Sequence, residues 1–263
     1  MLKTGQEVLA AFQAGLALRE EDLYRVNLSG LELQGANLIK ATLIGANLSQ
    51  TNLSRVKLRE ADLRGADLSG ADLTGANLQG AYLNRADLSG ADLTGANLVE
   101  AKLQSCRYDS KTRFPDGFSY KSSGAIGPGA NLNGASLNTA DLRNADLQRA
   151  NLLGTYLTGA DLTRANLQGA RLSCADLRRA FLAGSYLRNA RLNGANLEAV
   201  DLRAADLTGV EFESLESIAG ADFSQVQGLS EENRMRLLTH PPQELDTWNV
   251  YTRRTTRDSL ESL

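Results

Sequence analysis

Three kinds of residue in this chain could do chemistry: one histidine, two cysteines and a long series of carboxylates. His240 precedes Pro241 and Pro242, beyond the regular part of the chain, so no nucleophile and histidine pair can form inside that part. With only Cys106 and Cys174 beside it, a structural zinc site lacks ligands and a disulfide framework is unavailable. The glycines of "LSGADLTGAN" recur every five residues, unlike a phosphate-cradling strand, loop and helix. The carboxylates remain: Asp62, Asp67, Asp72, Asp87 and Asp92 are separated by multiples of five residues, and paired carboxylates can serve acid–base or calcium chemistry. Asp and Asn share this position, however, and both bond nearby backbone amides at turns. The structural role is therefore preferred, and the sequence predicts no enzyme, no metal and no cofactor.

The elements that hold these carboxylates follow from the spacing. Central residues recur every five positions from Leu23 to Leu103, seventeen in all and every one Leu. The run resumes at Leu132 and continues to Leu207 and Phe212, another seventeen. Ala lies two residues before the centre in 25 of these 34 units, and Asp or Asn immediately before it in 22. The unit reads A-(D/N)-L-x-x. On a helix, five steps of about 100° would send each Leu to a different side. On a strand an odd period reverses the face each time. The chain must therefore turn within every unit, winding around an interior of Leu and Ala.

One winding cannot stand alone. Burying a Leu contributes roughly 1.5 to 3 kcal/mol, whereas ordering five residues costs about 1.5 kcal/mol each. Stacked windings about 4.8 Å apart share backbone hydrogen bonds, so stability comes from nearest neighbours.

The A-(D/N)-L-x-x array resembles the pentapeptide-repeat proteins, from about Leu18 to Phe212 apart from one interruption. The resemblance implies an all-β solenoid, a right-handed quadrilateral β-helix with four units per coil. Spacing alone leaves three sides open as well. In a four-sided coil Asp67 would lie over Asp87 and Asp72 over Asp92.

Both open ends need covers. Thr4 and Glu7 are spaced as a capping box before Val8, Leu9, Ala11 and Phe12, with Gly15 as the stop, which predicts a helical cap over 1–17. After Phe212 the phase slips by one residue. Ser230 then opens a predicted helix, "EENRMRLL", which the two prolines end, within a C-terminal cap and tail over 227–263. From Gln243 onward the expectation is an extended strap or a mobile end. The competing reading makes Trp248, Tyr251, Arg253, Arg254 and Arg257 a docking segment. Thr255 or Thr256, beside two Arg, is a weak phosphorylation pattern.

The interruption over 109–129 separates a first repeat run, 18–108, from a second, 130–226. Tyr108, Phe114, Pro115, Phe118 and Tyr120 make it too aromatic for a linker, so an ordered surface excursion from one continuous solenoid is expected. Its "YDSKTRFPDGF" core also resembles an insertion of cyanobacterial pentapeptide-repeat proteins. The excursion either clamps a kink or binds a partner through Tyr108, Phe114, Phe118 and Tyr120. A second candidate surface is a basic belt from Arg171 to Arg191: Arg171, Arg178, Arg179, Arg188 and Arg191, with Phe181 and Tyr186 where Asp or Asn is usual. The competing reading has these arginines covering the wall and pairing with stacked Asp. Cys106 takes an inward Ala position and Cys174 a corner, so no bridge is expected between them.

The net charge of −3 does not announce nucleic acid. "MLKTGQEVLAAF" does not read as a signal peptide and no 18 apolar residues run together, so a cytoplasmic protein without membrane contact is expected. The preferred function is a non-enzymatic scaffold or regulator of an unidentified protein partner, monomeric or weakly dimeric, with no direct nucleic-acid binding. The alternative is a DNA mimic that modulates type II topoisomerase, as some family members do. That role asks for an acidic stripe, whereas the arrays carry net charges of −2 over 21–103 and +1 over 131–212.

Overall fold

Each five-residue unit folds alike because its residues have different tasks. In the unit Ala61–Gly65, Ala61 and Leu63 are fully buried while Asp62 between them faces outward. The Ala66 N–H donates to the Leu63 carbonyl (3.0 Å), closing a turn whose third residue, Gly65, has φ +65°. A turn of this kind requires that left-handed conformation, which Gly adopts without steric cost. Asp62 N–H donates to Ala41 O (3.0 Å) on one side and Leu63 N–H to Tyr82 O (2.8 Å) on the other, so each coil bonds both neighbours.

The computed structural model describes residues 4–263; Met1–Lys3 of the expected N-terminal cap lie outside the described residues. The bridges of its coils are parallel and join residues twenty apart, from Asp22 with Thr42 to Asp87 with Arg107, and from Asn131 with Asn151 to Arg191 with Glu211, while Trp248 and Thr255 form an antiparallel bridge in the C-terminal segment. Four units therefore complete one coil, the number that spacing alone left open.

Arginine takes the glycine corner at several positions, with φ +55° at Arg55 and +56° at Arg149. Such a side chain lies along the wall. An added Cβ at Gly169, one coil after Arg149, would stand 3.4 Å from the Arg149 Cγ.

The chain divides into two compact units, at Gly127 and Pro128. The first begins with α1 (Gly5–Gln13), whose Thr4 and Glu7 form the expected capping box and whose Val8 is buried. It ends in the aromatic segment, which departs from the expected excursion. Arg113 bridges Asp92 and Ile126 bridges Arg107, steps of twenty-one and nineteen residues in place of twenty. The segment thus continues the stack as an irregular coil, and it includes a short 3-10 helix, Tyr120–Ser122. Arg113, Gly124 and Ile126 bond the backbone of the preceding coil, which periodicity could not reveal, while Phe118–Ser123 make local turn bonds.

In the second unit the one-residue slip lies between Glu211 and Ser217, after which Ser217, Asp222 and Gln227 bridge residues twenty-one positions earlier. Then come α2 (Glu231–Leu237), N-capped by Ser230, α3 (Pro242–Leu245) and α4 (Thr256–Glu261), N-capped by Thr255. The expected strap or mobile end is therefore corrected. Leu237, Leu245 and Leu260 are buried, Thr256 Oγ1 donates to Ile218 O (2.9 Å) and Phe223 N–H donates to Ser259 Oγ (3.1 Å). The tail is a built cover for the last coil. Thr256 is 0% exposed, which removes it as a phosphorylation target.

Candidate interaction surfaces

The four aromatic candidates of the interruption gather into one cluster. Phe114 stacks on Tyr120 (centroids 4.5 Å, 8° between planes) and on Phe118 (5.9 Å, 29°), while Tyr108 meets Phe114 (5.5 Å) and Tyr120 (5.4 Å) edge-on. Tyr108 is buried and the other three are half-buried. Beside them the Asp109 Oδ1 accepts from the N–H groups of Gly90, Lys111 and Thr112 and from the Thr112 hydroxyl. Burial pushes this carboxyl up, but those donors outweigh it and hold it below the ordinary range. The rings and the carboxylate are largely spent on closing the end of the first unit.

The belt does not gather. Arg171 to Arg191 is twenty residues, one full coil, so its side chains circle all four faces. Arg171 and Arg191 pair by backbone on one face, Phe181 lies between Asp161 and Asp201 on another, and Tyr186 between Asn166 and Asp206 on the next. Arg178 forks onto Asp176, with Nε to Oδ1 2.9 Å and NH2 to Oδ2 2.7 Å. Arg188 Nε meets Asp206 Oδ2 (2.5 Å) and Arg191 Nε lies 3.3 Å from Glu211. The hydrogen-bonded Arg178 draws the Asp176 carboxyl below its usual range. Arg179 sits at a corner with φ +58°.

The stacked carboxylates behave as turn residues. Asp67, Asp72, Asp87 and Asp92 each accept the backbone N–H two residues on, from Ser69, Thr74, Ser89 and Thr94, all at 2.9 Å. Burial pushes the Cys106 thiol up to about 12, which makes it a poor nucleophile, while Cys174 is exposed. His240 Nδ1 lies 3.2 Å from Glu244 Oε2, which also accepts from Ile218 N–H. Among the described residues no group of three or more His, Cys, Asp and Glu is gathered as a metal site requires, and no helix is long and apolar enough to cross a membrane. A cleft of about 560 Å³ beside the last coil is polar, and its Arg254 is already bonded to Ser224 and Ser262.

The model of the pentapeptide repeats family matches eight copies, over 22–59, 36–75, 71–107, 129–164, 140–178 and 170–209, more than half of the chain. The chain belongs to the pentapeptide-repeat family. A pentapeptide-repeat protein, HetL, involved in heterocyst differentiation regulation in the cyanobacterium Nostoc sp. strain PCC 7120, is 32% identical over 84% of this chain and 97% of its own, with a TM-score of 0.32. The pentapeptide-repeat protein alr5209 of Nostoc PCC 7120 is 36% identical over 49% of this chain and 99% of its own, TM-score 0.35. QnrB1, a plasmid-mediated fluoroquinolone resistance protein, is 21% identical over 84% of this chain and 95% of its own, TM-score 0.32. No curated protein matches the chain.

Large apolar side chains left exposed in this pentapeptide-repeat protein include Trp248, Val250 and Tyr251 of the C-terminal segment and Tyr156 and Tyr186 of the second wall. Sequence reading named Trp248 and Tyr251 but missed Val250 and the Asn249 between them. Asn's preference for turns was the available signal.

Proposed function

We propose that this chain is a non-enzymatic interaction module, a right-handed quadrilateral β-helix in the cytoplasm that presents fixed wall residues to a protein partner. One observation carries the reading: the carboxylates that could do chemistry already accept backbone amides of their own turns, while large aromatic and Arg side chains stand exposed. Interface centres are enriched in those residue types. Of the sequence candidates, Arg171, Arg178, Arg179, Tyr186, Arg188 and Arg191 are exposed, Phe114, Phe118, Tyr120 and Phe181 are half-buried, and Tyr108 is buried. The test is capture from host lysate on the immobilised full chain, followed by calorimetry with the purified captured protein. A saturable complex supports the module; no binder at all, or turnover of any substrate, rejects it.

A second reading, mimicry of DNA toward a type II topoisomerase, draws on the first unit. Asp67 and Asp87 lie on one face, Asp72 and Asp92 on the next, and only Ser69–Gly70 and Ser89–Gly90 form the corners between. That acidic edge closes at the following coil, where Arg107 and Arg113 continue the two columns and Arg113 NH1 lies 3.5 Å from Asp92. Inhibition of gyrase supercoiling by the purified chain, lost in Asp72→Asn with Asp92→Asn, would select this reading over the module.

A further inference from the structure

The turn from Trp248 to Arg254 buries its Asn and exposes its large apolar side chains, the reverse of an ordinary surface loop. Asn249 is 0% exposed. Its Nδ2 donates to Gly220 O (2.7 Å) and Val200 O (3.4 Å), and its Oδ1 accepts from the N–H groups of Tyr251 (2.9 Å) and Thr252 (3.1 Å). Its backbone closes the turn, with Asn249 N–H donating to Arg254 O (2.8 Å) and Arg253 N–H to Asn249 O (2.9 Å). Around this pin Trp248, Val250 and Tyr251 are 56%, 69% and 51% exposed. Tyr251 is further fixed edge-on against Phe181 at 5.2 Å.

We infer that this turn is a preformed docking knob for a protein partner that offers an apolar pocket rimmed by carboxylate. The inference rests on the interaction-module reading and names its contact site. A turn held by six hydrogen bonds loses little freedom on binding, so an exposed Trp beside Val and Tyr serves as an anchor. Charge selects the occupant. Arg257 is paired with Asp246, and Arg254 is held by Ser224 and Ser262, but Arg253 is exposed on the turn with no ion pair among the described residues. The group on a partner that matches its guanidinium is a carboxylate. A lipid surface fits less well, because Gln243–Leu263 carries three Arg against two Glu and two Asp, and anionic membranes recruit cationic segments.

Trp248 is the one tryptophan of the chain, so its emission reports this site alone. The protein captured above is purified and titrated against the full chain, Trp248→Ala, Val250→Ser, Arg253→Glu and, as a control on the first unit, Tyr82→Ser. The expected result is a blue shift of Trp248 emission on binding, affinity at least tenfold weaker for Val250→Ser and Arg253→Glu, and Tyr82→Ser unchanged. Circular dichroism and melting of each variant separate lost contact from lost fold. A partner that binds all variants equally overturns the knob while the module stands; absence of any partner removes both. A blue shift produced instead by vesicles of phosphatidylcholine and phosphatidylglycerol, or by raising the concentration of the chain alone, assigns the turn to a membrane or to self-association and overturns the inference.

Discussion

The Tyr251 ring stands edge-on to Phe181, with centroids 5.2 Å apart and planes at 64°. Phe181 occupies a position that is Asp or Asn in most repeats, so a departure from the repeat on the wall meets a residue outside it. Edge-to-face pairs contribute about 0.5 to 1.5 kcal/mol beyond burial. Phe181→Asp should therefore leave the coils intact and loosen the turn, with faster tryptic cleavage at Arg253 and Arg254. Unchanged cleavage would show that the ring contact holds nothing.

Asn249→Leu should destabilise the second unit by about 1 to 3 kcal/mol, since it strips the Gly220 carbonyl of its donor and two turn amides of their acceptor. Denaturant unfolding measures the loss. Hydrogen exchange should place it in the C-terminal helices and the coil beneath them, with residues before Gly127 unaffected.

At the end of the first unit, a Cβ added at Gly127 would stand 2.6 Å from three atoms of the Tyr108 ring. Tyr108 is itself wedged against Phe114 and Tyr120, so it cannot step aside cheaply. Gly127→Ala should cost about 1 to 3 kcal/mol, as overpacking does. The melting temperature and the exchange of amides 106–127 should register it together.

Thiol titration should find one reactive cysteine in the native protein. Cys174 is exposed, whereas Cys106 is buried and its thiol is pushed up to about 12. One equivalent of dithionitrobenzoate should react promptly and the second only on unfolding. Two prompt equivalents would mean that the first unit opens near Cys106.

Acid should unfold the chain through its carboxylates. Asp62, Asp92, Asp109, Asp176 and Asp206 are all held below their ordinary value. A group whose folded pKa is depressed stabilises the fold above its unfolded value, about 3.9 for Asp, and that contribution is lost as pH falls through the folded value. The melting temperature should stay level from pH 7 to 5 and drop below about pH 4. Asp109→Asn should melt lower at pH 6 and show a shallower acid slope.

The amino-acid sequence by itself determined the solenoid, because a five-residue period of Ala and Leu has no other way to bury one side. It also marked Thr4 and Ser230 as helix starts and the slip after Phe212, all of which are local signals. Only the tertiary structure decided what the irregular parts do. Arg113 and Ile126 rejoin the stack through backbone hydrogen bonds, which leave no mark on side-chain pattern. The belt from Arg171 to Arg191 looked like a patch in the linear chain and became a ring once twenty residues proved to be one coil. The tail has no period, and its order comes from Asn249, Thr256 and Ser259 meeting carbonyl and amide groups of coils some thirty to fifty residues earlier. Contacts of that range depend on where the chain has already been folded, and no neighbouring residue encodes them.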